Sequence, residues 1–157
     1  MMMDAYQPEG VTMLAVDSIF MMPQLGVLST VHPEAAAQVF DRDCLIRLGS
    51  CIAPVGQARA GEPVLTMEYN GKSETFRYGE IRVLPMGVGE TMRVMLKPAR
   101  GFDVGAGKGR AMEAVVEGGV VGLIVDTRGR PLQLPQNDAE RRAKLIEWLR
   151  AFGLPEP

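Results

Sequence analysis

Short apolar runs, each closed by glycine, proline or asparagine, dominate the middle of the chain. Val64–Tyr69 and Lys72–Tyr78 flank Asn70-Gly71, the dipeptide that a two-residue type I′ hairpin turn favours because both central residues need positive φ. Arg82–Leu84 and Met92–Leu96 are strand candidates around the turn Gly87-Val88-Gly89. Met112–Val116 and Val120–Val125 flank Glu117-Gly118-Gly119 and read as a second hairpin. Strands at short, even spacing without intervening helical periodicity predict a mainly β, β-rich α+β fold, a barrel or sandwich of short strands.

The two ends read differently. Val11–Val16 has the length and apolarity of a buried strand, and Pro33–Phe40 predicts a short helix, with proline in its first turn and alanines behind it. Asp41-Arg42-Asp43 closes that helix. Near the C-terminus, Asn137 is a helix cap with Glu140 three residues on, and Leu145, Ile146, Leu149 and Phe152 mark one apolar face with Trp148 beside them. Gly153 and Pro155 stop the helix. The expected organisation is an N-terminal acidic segment over 1–45 packed on the main domain, a closed or nearly closed β-barrel-like domain over 46–135, and a C-terminal amphipathic helix and tail over 136–157. The helix covers the barrel or docks on a partner.

Composition narrows the function classes. Seventeen Lys and Arg against 19 Asp and Glu leave a net charge of −2, so the chain lacks the basic excess of a nucleic-acid binder. The charge is uneven: Asp4, Glu9, Asp17, Glu34, Asp41 and Asp43 face only Arg42 in the first segment. One histidine and two cysteines fall short of a structural zinc site. The most apolar stretches, Ile19–Val31 and Val115–Val125, are interrupted by Pro23-Gln24 and by Glu117-Gly118-Gly119 and are too short to span a membrane. With no export-signal pattern at Met1–Asp4, the expectation is a cytoplasmic protein in which Cys44 and Cys51 are free thiols among apolar neighbours.

Candidate chemistry concentrates in Gly101–Arg110. A Walker loop requires Gly, four residues and then Gly-Lys-Ser or Gly-Lys-Thr; here the spacing from Gly101 to Gly107 is one residue too long, and Gly109 replaces the hydroxyl. A dinucleotide fingerprint fails where Arg110 stands in place of glycine. What remains is a flexible loop whose backbone N–H groups, at Gly105 and Gly107 among others, and whose cations Arg100, Lys108 and Arg110 suit an anion or an acidic partner. From Arg93 to Arg110 five cations oppose Asp103 alone. A His32–cysteine nucleophilic pair is the other chemical candidate, weighed against two thiols that read as small core hydrophobes. Glu113 and Glu117 share a strand face, read as exposed. No metal, cofactor or catalytic residue is assigned.

Leu25-Gly26-Val27-Leu28 followed by His32-Pro33, then Asp43-Cys44-Leu45, Ile52-Ala53-Pro54-Val55-Gly56 and the run from Gly118 to Pro131 (Gly-Gly-Val-Val-Gly-Leu-Ile-Val-Asp-Thr-Arg-Gly-Arg-Pro) resemble the C-terminal part of the glutamate mutase L family (MutL or GlmL), over most of the chain. The resemblance implies a fragment of a longer protein. Its earlier part is an actin/Hsp70-type nucleotide-binding fold associated with adenosylcobalamin-dependent mutases, whose reactivation or assembly it assists. The expected function is then an accessory or interaction domain without catalysis of its own. Its expected partners are mutase subunits and the upstream nucleotide-binding domain, with neither nucleic acid nor membrane. The alternative is a self-standing β-barrel domain that binds a small anionic ligand at the glycine-rich loop 101–109.

Overall fold

The computed structural model describes residues 7–130 and 132–153. Pro131, the N-terminal Met1–Asp4 and Pro155 of the expected helix stop lie outside the described residues. In chain order the elements are β1 (Gly10–Asp17), α1 (Met22–Leu28), α2 (Pro33–Val39) running into a π turn (Phe40–Cys44), β2 (Leu45–Ala53), β3 (Pro63–Tyr69), β4 (Lys72–Arg77), β5 (Ile81–Leu84), β6 (Thr91–Pro98), β7 (Met112–Glu117), β8 (Leu123–Asp126) and α3 (Asp138–Ala151). The fold is mainly β, with two four-stranded sheets ordered β1-β2-β8-β5 and β4-β3-β6-β7. The sheets do not close on one another, so of the expected barrel or sandwich it is the open, two-sheet form that is seen. β1, within the acidic N-terminal segment, is the edge strand of the first sheet.

Asn70 and Gly71 take φ of 47° and 72° and join β3 to β4 as a two-residue hairpin, as the dipeptide predicts. The second expected hairpin does not form. β7 pairs with β6 in one sheet, while β8 pairs with β2 and β5 in the other, so Gly118–Gly122 carries the chain between sheets. Close approach explains those glycines. A Cβ on Gly118 would lie 2.0 Å from the Gly87 carbonyl oxygen, and one on Gly119 2.3 Å from the Leu48 carbonyl carbon. Likewise β5 and β6, on either side of Gly87-Val88-Gly89, belong to different sheets.

Strand alternation gives the first sheet two buried faces. Ile52, Leu123 and Val125 point into the core between the sheets, against Leu65, Met67, Phe76, Val94, Leu96 and Val116. The alternate residues Cys51, Ala53 and Ile124 point the other way, where Ile81 and Trp148 complete a second cluster under α3. The Asn137 carboxamide oxygen accepts the N–H groups of Ala139 and Glu140 and starts α3 as expected. The buried face of α3 matches the expected one only in part: Phe152 packs inward, and Ile146 and Leu149 are half-buried. Trp148 is buried, with Ala151 and Phe152 packed beside it, whereas Leu145 is 43% exposed. With apolar residues on more than one side of the helix, periodicity alone does not select the face that the sheet takes.

Candidate functional site

Between β1 and β2 the chain leaves the sandwich as an arm, residues 18–44. Asp17 starts it: its carboxylate accepts the N–H groups of Ile19, Met21 and Met22 and turns the chain into α1. Phe20, within that turn, has φ of 54° and is 82% exposed. A non-glycine residue in the left-handed region costs about 1–2 kcal/mol, so the backbone holds an aromatic ring out in solvent at some expense. Leu25 and Ala36, on the facing helices α1 and α2, are buried; Ile19, Met22, Val27 and Val31 are each more than half exposed. Large apolar side chains exposed together on one short segment make the arm a candidate for macromolecular contact. Sequence reasoning found the apolar stretch Ile19–Val31 but not α1, because Pro23 reads as an interruption although it occupies the first turn of the helix.

The glycine-rich loop holds an anion of its own. The Asp103 carboxylate oxygen Oδ1 accepts the N–H groups of Gly105 at 2.7 Å and Gly107 at 2.9 Å, and these bonds hold its carboxyl below the ordinary aspartate range. The Gly109 N–H is donated to the Phe102 carbonyl and the Arg110 N–H to the Gly107 carbonyl. The donors expected to cradle an external anion are thus engaged within the loop. Arg100, Lys108 and Arg110 are exposed around it.

His32 is exposed at the start of α2, where it accepts through its backbone carbonyl, while Cys44 and Cys51 are buried and free. The thiols suit the core role expected of them. Burial pushes the Cys51 thiol up to about 12, with the Asp126 carboxylate adding to it, and burial together with Asp17 and Asp43 raises Cys44. Glu113 is exposed on β7 and pairs with Arg93, and Glu117 is exposed on the same strand.

A buried polar cluster that the sequence reading did not single out follows β8. Asp126, on the α3-facing side of the sheet, is 4% exposed. Its Oδ1 accepts Nε and the backbone N–H of Arg128, and its Oδ2 accepts Nη2 of Arg128 at 2.7 Å and Nη2 of Arg130 at 2.9 Å. Burial alone would raise this carboxyl; the two guanidiniums outweigh it and hold the group below the ordinary range. Arg130 also donates to the carbonyls of Pro8 and Gly129, and Arg128 lies over the Trp148 ring. Beside the cluster is a cavity of about 160 Å³, walled by Leu14, Cys51, Ile81, Ile124, Leu132 and Phe152 together with Gln7, Pro8 and the three charged residues.

Among the described residues no group of three or more His, Cys, Asp or Glu side chains is arranged to hold a metal, and no helix is long and apolar enough to cross a membrane. No protein-family model, curated protein or solved structure matches the chain.

Proposed function

We propose that the chain is an interaction domain, in which the β-sandwich presents the arm 18–44 to a protein partner and carries out no chemistry of its own. The observation that carries this reading is Phe20, exposed and fixed in a left-handed backbone, among Ile19, Met22, Val27 and Val31. Backbone strain at an exposed aromatic is the kind of local cost that persists where presentation of the side chain is useful. Aromatic residues at the centre of an interface also dominate binding energy.

The resemblance to the glutamate mutase L family supplies the partner: a subunit of an adenosylcobalamin-dependent mutase, met in the cytoplasm alongside an ATPase-like nucleotide-binding domain. Glu34 and Asp43 are exposed on the same arm and Asp41 is paired with Arg47, so an apolar surface with basic groups is the complement we propose. Neither a cofactor nor nucleic acid enters this reading. The alternative, a small anion held at 101–109, is weakened by the Asp103 carboxylate already seated on the Gly105 and Gly107 N–H groups.

Calorimetric titration of the chain with isolated mutase subunits tests the proposal. Binding is expected for one subunit, weakened at least about tenfold by Phe20→Ser with Val31→Ser, at unchanged thermal stability. Binding that ignores both substitutions, or no binding to any subunit or to the nucleotide-binding domain, would sink it.

A further inference from the structure

The cavity beneath α3 has a wall of unusual chemical bias: its polar groups have donors to spare and almost no acceptor to spare. Asp126 already accepts four hydrogen bonds, two on each oxygen, which fills a carboxylate's capacity. The Pro8 carbonyl accepts Nε of Arg130, and Oε1 of Gln7 accepts the Leu132 N–H. On the donor side, Nη1 of Arg128 has no acceptor among the described residues, nor has the amide nitrogen of Gln7. Behind this wall and not part of it, the Trp148 indole Nε1, on whose ring Arg128 stacks, is also buried without an acceptor among the described residues. Cys51, its thiol kept protonated by burial, adds a weak donor.

The charges lean the same way. Two guanidiniums share one carboxylate among the described residues, at side-chain exposures of 17% for Arg128 and 5% for Arg130 and Asp126. Among the described residues one positive charge is left over beside an apolar space, where an uncompensated ion is costly. The remaining wall is hydrocarbon, from Leu14, Ile81, Ile124, Leu132 and Phe152. A cavity of about 160 Å³ is of the size that takes a benzene-sized apolar body.

We propose that this cavity binds a small organic monocarboxylate, its hydrocarbon body against the apolar wall and its carboxylate on the Arg128 edge. Such a ligand brings one negative charge and acceptor oxygens, matching both the surplus charge and the surplus donors. A neutral hydrocarbon satisfies neither. An ammonium-bearing ligand meets a saturated Asp126 and an excess of positive charge. The site lies apart from the arm, so it stands or falls independently of the interaction reading.

The chain has one tryptophan, Trp148, whose ring stacks on the cavity-lining Arg128, so its fluorescence reports on the ligand's proposed charge partner. The full chain is titrated with hexanoate, hexan-1-ol and hexylamine. A saturable Trp148 response is expected for hexanoate, at least about tenfold weaker affinity for the alcohol, and no response to the amine. Arg128→Gln removes the surplus charge while keeping the Arg130–Asp126 pair, and is expected to bring hexanoate and hexanol within about twofold of each other. Leu14→Phe, or Leu132→Phe where the first fails to fold, fills the space without touching the ion pairs and is expected to weaken hexanoate binding at least about tenfold. Absence of a saturable response to hexanoate overturns the proposal and leaves Asp126, Arg128 and Arg130 a purely structural network. Equal binding of alcohol and carboxylate overturns it in favour of an unselective void. Insensitivity to the filling substitutions places the binding elsewhere and also overturns it.

Discussion

The guanidinium carbon of Arg128 sits 4.4 Å from the centroid of the Trp148 ring, while Nε and Nη2 of the same side chain hold Asp126 at 2.8 and 2.7 Å. One residue therefore ties α3 to the end of β8 by two kinds of contact. A cation on an aromatic face is worth roughly 0.5–2 kcal/mol, more as water is excluded. The anchoring of α3 thus rests on Trp148 and on Ala151 and Phe152, three and four residues on, and not on Leu145.

Trp148→Ala is accordingly expected to destabilise the protein by about 3 kcal/mol, the low end for a buried Trp truncation. At this chain length, that lowers the thermal midpoint by about 6–12 °C. Leu145→Ala is expected to stay within about 0.5 kcal/mol of the parent, as an exposed position should. Thermal denaturation followed by circular dichroism compares the two.

The Asp126 carboxyl titrates lower in the folded protein than in the unfolded chain, so folding favours its ionised form. Its contribution is complete above the ordinary aspartate value of 3.8 and is lost as pH falls through the depressed folded-state value. Asp103 adds to the same acid limb. Urea midpoints measured from neutral pH down to about pH 3 are expected to fall steeply at the acid end. Asp126→Asn should shallow that limb, at a cost of about 3–5 kcal/mol near neutrality from two guanidiniums left with a neutral partner.

The thiols give an alkaline counterpart. With Cys51 raised from 9.0 to about 12, the folded state favours the protonated thiol; that stabilisation is whole below 9 and disappears as pH rises toward 12. Under native conditions at neutral pH neither Cys51 nor Cys44 is expected to react with a thiol reagent faster than the chain unfolds. Labelling rates that rise with denaturant in step with global unfolding are the expected result, and rapid labelling in its absence would contradict it.

Two glycines should respond to alanine with opposite signs. Gly26, in the middle of α1, has open space where a Cβ would go, so Gly26→Ala is expected to stabilise by about 0.4–1 kcal/mol. At Gly119 a Cβ would meet backbone of Leu48 and Gly49 at 2.3–2.4 Å, and Gly119→Ala is expected to cost more than about 3 kcal/mol. Chemical denaturation of both variants decides the contrast.

In the 101–110 loop, Asp103→Ala frees the Gly105 and Gly107 N–H groups and should lower the melting temperature. Replacing Arg100, Lys108 and Arg110 by alanine together should leave stability within about 0.5 kcal/mol per position, since all three are exposed. Melting curves of the four-residue set separate an internally capped loop from one held by its cations.

The β-rich class, the Asn70-Gly71 turn and the α3 cap were legible because each depends on neighbours in sequence. A positive φ at Gly71 and a carboxamide over the first turn of a helix are local requirements. Gly118 and Gly119 look the same in the sequence, yet neither has positive φ; they are small because Gly87 and Leu48 pass against them. That is a long-range fact, and it turned an expected hairpin into a crossing. The Asp126–Arg128–Arg130 cluster was hidden for a related reason. Nothing in its spacing marks it out in the sequence, and only the position of Asp126 on the α3-facing side of β8 makes it buried. The glycine loop was found as a motif, but its chemistry was already committed to Asp103.

Asp17 and Leu45 face each other across the β1–β2 ladder, so the arm leaves the sandwich and returns to it at one point. Its exposed side chains contribute to neither apolar core. The exposed surface of the arm and the packing of the sheets can therefore vary independently. Substitutions at Phe20, Val27 or Val31 alter the chemistry of that surface without touching the packing between the sheets, so the arm can be exchanged as a cassette while the two-sheet body stays as it is.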